Sequence, residues 1–214
     1  MLAEPAPALS DLALGLIVVA LAVRLHRVPT VHRHWRASFW WAGIAALAGF
    51  VHHGFVKYAD RWDGPSWAII SGMVVVAVSY LLAATVTEVL GPRHHRTFWL
   101  LRSLGLIAYA GLAITGHAGV TALLACESLT MISILVLWAR AARHHHPMAG
   151  PVIIALAASG AAAGTKALDP ALTAHIGLDP TSVYHLAQIA GMVLLYLAIA
   201  TPHRPTPTPS PAPG

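Results

Sequence analysis

Apolar residues in this chain run in long unbroken blocks separated by short polar punctuation. Seven blocks stand out, at about 10–27, 37–56, 66–88, 97–115, 118–139, 150–167 and 182–201. Each is close to the roughly 20 residues that carry an α-helix across the hydrocarbon of a bilayer. None shows the strict alternation of a membrane β-strand, so helices are the expected form. The breaks are rich in turn formers: "RWDGPS", "GPRHHR", "ARHHHPMAGP" and "LDPALTAHIGLDPTS". The pattern predicts an all-α, seven-transmembrane-helix bundle over residues 1–201. The Pro-rich stretch 202–214, "PHRPTPTPSPAPG", is expected to be a disordered cytoplasmic tail.

Composition sharpens this into an integral membrane protein. Hydrophobic residues make up 57%, charged residues only 10%, and mean hydropathy is +0.67, where soluble domains carry roughly 25% charged residues. The pI of about 9.9 would suit a nucleic-acid binder, but the placement of the basic residues explains it otherwise. Arg24, Arg27, Arg33, Arg36, Arg93, Arg96, Arg140, Arg143 and Arg204 follow odd-numbered blocks, with Arg102 just inside the fourth. The other side holds only Lys57, Arg61 and Lys166. By the positive-inside rule this asymmetry places the N-terminus outside and the C-terminus in the cytoplasm of a multi-pass cell-membrane protein, with no nucleic-acid partner. The acidic start "MLAEPAPALSDLALG" lacks a cleavage pattern, so the first block is expected to be retained. A single cysteine, Cys126, leaves no internal disulfide and no Cys-rich metal motif.

The remaining polar residues fall mostly on the outer side. Asp11 opens block one, with Ser10 as its expected N-cap. "GFVHHGFVKYAD" (Gly49–Asp60) ends block two with His52, His53, Lys57 and Asp60, and Asp63 and Trp67 precede or open block three. His117 lies between blocks four and five. Lys166, Asp169, His175 and Asp179 lie between six and seven, and Tyr184, His185 and Gln188 open the last block. Imidazoles and carboxylates below a membrane surface are costly and mark function. His52 and His53, about 100° apart on a helix, are expected to send at most one ring to the bundle centre. Asp179 before Pro180 reads as an N-cap with Pro at the first helical position. The inner histidines, among them His34, His94, His95 and His144 to His146, sit with arginines in a basic collar suited to anionic headgroups. Glu127, in "ACESLT", is a mid-span carboxylate that needs a partner or a proton. Gly160 and Gly164 form a small-xxx-small pattern expected to pack closely on another helix.

Seven helices, an outside N-terminus, an acid opening helix 1, a His ending helix 2, an Asp before helix 3 and a His opening helix 7 together resemble the CREST superfamily, which includes the alkaline ceramidases and the progestin/adiponectin receptors. The chain is also similar, in "VYHLAQIAGMVLLY", to uncharacterised bacterial seven-helix proteins with a "YHxxQ" pattern. The CREST resemblance implies a zinc-dependent membrane hydrolase. His52 or His53 and His185 would be metal ligands, Asp60 or Asp63 the acid on the helix-3 side, and Asp11 the helix-1 acid. The chain departs from the family pattern at Ala48 and Gly49, where the family has Ser, and at Ile189, where it has a second His.

The leading expectation is therefore an outward-facing His/Asp pocket with Asp11, His52, His53, Asp60 and His185, acting on a lipid amide or ester with zinc as cofactor and membrane lipids as partners. Two alternatives stay open. One is a small transporter or sensor that uses Glu127. The other is a b-type haem protein, with His52 facing His117 or His185. No lysine lies within the last block, which argues against a retinal Schiff base.

Overall fold

The computed structural model describes residues 2–115, 120–167, 169, 173, 175 and 177–201. Among these the chain is all-helical, with α1 (Pro5–His26), α2 (Arg33–Val51), a π-helical turn (His52–Val56), α3 (Asp60–Leu90), α4 (His95–Ile114), α5 (Val120–Arg143), α6 (Ala149–Gly164), a 3₁₀ turn (Thr165–Ala167) and α7 (Pro180–Ala200). Five helical stretches are long and apolar enough to cross a membrane: Pro5–His26, Arg33–Val56, Arg61–Leu90, Ala125–Arg143 and Pro180–Ala200. The other two expected spans fall outside that group. α6 has only 16 residues before the backbone tightens, and α4, 20 residues long, is described only in part.

Large apolar side chains point outward along these helices: Leu16, Ile69, Leu100, Ile107, Val136 and Ile154 are all exposed. In water such a surface would drive association; against hydrocarbon it costs nothing. The interior is packed around Leu25, Trp35, Phe39, Leu82, Ile134, Trp138 and Val152. Trp138 donates its indole N–H to Thr85 Oγ1 at 3.1 Å, so the one polar atom of the ring is satisfied inside the core. This core lies towards the end of the bundle where α1 finishes and α2 begins, and the polar residues of interest gather at the other end.

Glycine sets the closest approaches. A Cβ on Gly15 would sit 2.7 Å from Leu47 Cδ2, and one on Gly43 would sit 3.1 Å from the Val19 backbone nitrogen. α1 and α2 are therefore drawn together along their length, as small residues allow in membrane bundles. The close packing expected of Gly160 and Gly164 is not found among the described residues, where a Cβ on either would meet nothing within 4 Å. Contact between α6 and α7 is made instead by Gly191, where a Cβ would lie 3.1 Å from the Ser159 backbone nitrogen.

Two helix starts differ from the sequence reading. α1 begins at Pro5, not near Ser10, so Ser10 and Asp11 lie in its second turn and neither caps it. Pro5 suits the first helical position because its missing N–H would have had no helical partner there. α3 begins at Asp60 and runs through Pro65, where "RWDGPS" suggested a loop. A proline this near the helix start forfeits one backbone hydrogen bond without breaking the long helix behind it.

Candidate functional site

The site is built where α2 changes pitch. At His52 the helix widens into a π-helical turn, a feature that recurs at functional sites. The segment before α1 docks on this turn. Ala3 N–H donates to the Gly54 carbonyl at 2.8 Å and Glu4 N–H to the His53 carbonyl at 2.9 Å. Glu4 is thereby brought beside His53, and its Oε2 lies 2.5 Å from His53 Nδ1.

His52 and His53 diverge as helix geometry requires, yet both are engaged inside the protein, contrary to the expectation of at most one. The reason is that α2 ends between α1 on one side and α3 on the other. His53 turns to α1 and α7, its ring centroid 6.4 Å from that of His185. His52, only 2% exposed, turns to α3. Its Nδ1 is 2.8 Å from Ser66 Oγ, its Nε2 is 3.7 Å from Asp63 Oδ1, and its ring packs 5.7 Å from that of Trp67. Lys57 Nζ lies 3.8 Å from the same Asp63 oxygen. This second pair thus has its own cation.

Asp11 is the centre of the first group and is almost fully buried. Its Oδ1 is 3.3 Å from His185 Nε2 and its Oδ2 is 3.9 Å from His53 Nε2. The carboxylate lies directly on the α2 backbone, because Gly49 presents no side chain there.

Ser10 Oγ bridges the Pro7 carbonyl, 2.9 Å away, and His185 Nδ1, 3.0 Å away. His53 Nδ1 meets the Glu4 carboxylate. Each ring thus has a partner on Nδ1 and presents Nε2 to Asp11, His185 to Oδ1 and His53 to Oδ2. Two ring nitrogens and two carboxylate oxygens converge, a grouping that a shared proton or a cation would hold together. Lys166 is near, but its ammonium stacks 4.6 Å from the centroid of the Tyr184 ring.

A cavity of about 450 Å³ opens beside the cluster and reaches it at His53, with Glu4, Pro7, Lys57, Asp179 and Thr181 in the rest of its lining. Its α7 wall is fixed by the expected cap. Asp179 accepts from Thr181 N–H at 2.9 Å, from Ser182 N–H at 3.0 Å, and from the Ser182 hydroxyl. Burial acts to raise the Asp179 carboxyl, but the hydrogen bonds from Ser182 and Thr181 outweigh it and hold the group below its usual range.

The other expected residues separate from this group. The side chain of Asp60 and all of His117 lie outside the described residues. His175 is exposed. Gln188 leaves the His185 face and donates to Ser159 Oγ of α6 at 3.2 Å. Glu127 has a partner that the sequence did not reveal: Arg102 Nη2 lies 3.1 Å from its Oε1, and Arg102 also donates to Thr130 Oγ1 at 2.7 Å. Sequence reasoning also missed Glu4, Ser10, Ser66 and Gly49. Ser10 beside Asp11 was the available signal, and it reads as a cap.

The fit to a metal can be judged on the donor set. Zn²⁺ takes His nitrogen and carboxylate oxygen at about 2.0–2.2 Å, and metal-ligating histidines hold their other nitrogen on a hydrogen-bond partner. His53 and His185 both do so, through Glu4 and Ser10. Among the described residues no group of three or more His, Cys, Asp or Glu is drawn together tightly enough to grip an ion as it stands. Asp11 and His185 already have the spacing of neighbouring ligands, and His53 is the one set back.

The fold and this polar cluster define a helical protein with membrane-length spans and a buried His/Asp centre at one end. Residues 6–203 match the model of a family described as a family of unknown function, DUF6962, and the chain belongs to that family. Neither a curated protein nor a solved structure matches it.

Proposed function

We propose that this protein is a metal-dependent hydrolase of a lipid amide or ester, with its centre at Asp11, His53 and His185. The observation behind this reading is the convergence of two imidazole nitrogens on one buried carboxylate, each ring held by a partner on its other nitrogen. Asp11, His53 and His185 would hold the ion, and a nitrogen and carboxylate donor set suits zinc. Bound there, such an ion supplies a water of pKa about 7 and polarises a carbonyl. Ser10 and Glu4 orient the two imidazoles. The vestibule lined by Lys57 and Thr181 receives the scissile group. Leu9 and Phe55, exposed at the same end, offer apolar surface to an acyl chain that remains in the bilayer. In this reading the N-terminus is outside, the centre faces outward across the cell membrane, and all seven helices contribute to the bundle.

Hydrolysis of fluorogenic N-acyl and ester lipids in mixed micelles tests the reading. Wild-type protein supplied with zinc should turn over one of the two classes, and Asp11→Asn and His185→Ala should abolish that turnover. Equal rates in all three proteins would overturn it.

A second reading rests on a different observation. Glu127 Oε2 is buried without a hydrogen-bond partner among the described residues, although Oε1 pairs with Arg102. A half-satisfied intramembrane carboxylate suits the coupling group of a small transporter or sensor. Proton uptake by proteoliposomes that disappears in Glu127→Gln but survives in His185→Ala would favour it.

A further inference from the structure

At the opposite end of the bundle lies a second cavity, of about 460 Å³, between the start of α2, the end of α3 and the start of α4. Its lining includes Arg33, His34, Tyr80, His94, His95 and Trp99. No carboxylate is among the described residues that line it; Glu88 acts on His32, beside the cavity and not in it. His34 stacks on Tyr80, with ring centroids 5.9 Å apart, and its Nδ1 is buried without a hydrogen-bond partner. Two long helices, α2 and α4, begin at this cavity, so the positive ends of their dipoles point into the same space. Its rim is apolar and outward-facing: Trp99 is 59% and its neighbour Leu100 66% exposed.

We infer that this cavity binds the phosphate headgroup of an anionic lipid, held by Arg33, His94 and His95, with the acyl chains leaving along Trp99. Arg33 supplies a fixed charge, and the imidazoles and the α4 N-terminus supply N–H donors suited to phosphate oxygens, while at α2 the His34 N–H is already taken by His32 Nδ1 at 3.3 Å. A basic pocket between membrane helices with an apolar exit is the form that anionic headgroup sites take. A soluble phosphate compound would share the cationic half of the site but would leave the Trp99 rim unused. The inference is independent of the hydrolytic reading, because no residue is common to the two sites.

The test is lipid binding by the purified, delipidated protein, read by native mass spectrometry and by thermal shift. The probes are phosphatidylglycerol, phosphatidylcholine and inorganic phosphate. Phosphatidylglycerol should be retained and should raise the melting temperature, and phosphatidylcholine should do neither. The Arg33→Gln/His94→Gln variant should bind phosphatidylglycerol about tenfold more weakly, the loss expected for one charge-assisted contact. Its melting temperature without lipid should match wild type, since both residues are exposed. Arg140→Gln, a basic residue outside the cavity lining, should bind like wild type. Inorganic phosphate that displaces the lipid at micromolar concentration would keep the anion site but assign it to a soluble ligand. Equal retention of phosphatidylcholine, or equal loss in Arg140→Gln and Arg33→Gln/His94→Gln, would overturn the inference and reduce the region to non-specific basic surface.

Discussion

Gly49 and Asp11 occupy one another's space: a Cβ on Gly49 would lie 2.5 Å from Asp11 Oδ2 and 2.8 Å from its Cγ. The buried carboxylate exists where it does because α2 offers bare backbone at that level. Gly49→Ala should therefore push Asp11 off its seat. The expected cost is about 1–3 kcal/mol in thermal unfolding, the range for overpacking a tight interior. Gly160→Ala, whose new methyl meets open space, should be neutral or stabilising by up to about 1 kcal/mol through helix propensity. The reverse ranking would place the close contact on α6 and not here.

Arg102 and Glu127 make the second prediction. Arg102 is 2% exposed, and Glu127 3.1 Å away is its only carboxylate partner among the described residues. Glu127→Gln would keep a hydrogen-bonding amide but strand a buried guanidinium. Breaking a buried pair from one side costs about 3–5 kcal/mol, so a large fall in melting temperature is expected. Replacing both, as Arg102→Met/Glu127→Met, should recover much of it. An unchanged melting temperature in Glu127→Gln would mean that the carboxyl is already neutral and the pair carries no charge.

Much of this arrangement was legible from the chain, and the limits have physical causes. Helices that alternate in direction must bring the end of α2 and the starts of α1, α3 and α7 to one side, so Asp11, His53 and His185 could be gathered from topology alone. Their partners could not. Whether Ser10 caps a helix or lies inside one depends on where the helix starts, and Pro5 moved that start by more than a turn. Placing both His52 and His53 inside required knowing that α2 ends between two neighbours. The Arg102–Glu127 pair depends on the register of α4 against α5, which apolar periodicity does not set. Gly160 and Gly164 show the converse: small residues at close-packing spacing define a face, but not what that face meets.

Asp179 gives a prediction in pH. Its carboxyl is held below the usual range in the fold by the α7 N-terminal hydrogen bonds. The capping contribution is then complete above the unfolded carboxylate value of about 3.9 and is lost as pH falls through the lower folded value. Asp179→Ala should cost about 1 kcal/mol, the typical value of a cap. That difference from wild type should stay constant from pH 8 to about 5 and narrow only in stronger acid. A difference that vanished already near pH 6 would contradict the assignment.

Membrane orientation is testable without any activity. The arginines that follow α1, α3 and α5 predict a cytoplasmic C-terminus. A C-terminal reporter active only in the cytoplasm should therefore work, and one active only outside should fail. The opposite result would turn the His/Asp centre towards the cytoplasm.

The account stands most directly on whether Asp11, His53 and His185 hold an ion. Elemental analysis of the purified protein, after equilibration with a stoichiometric excess of zinc and gel filtration, measures this without a substrate. Wild type should retain about one zinc per chain. His185→Ala and Asp11→Asn should retain little, and Ser10→Ala, which only frees the His185 ring, should bind about 10–100-fold more weakly. Zinc at background in wild type, or equal retention in wild type and His185→Ala, would contradict the metal centre and leave the Asp11–His185 contact as a shared proton.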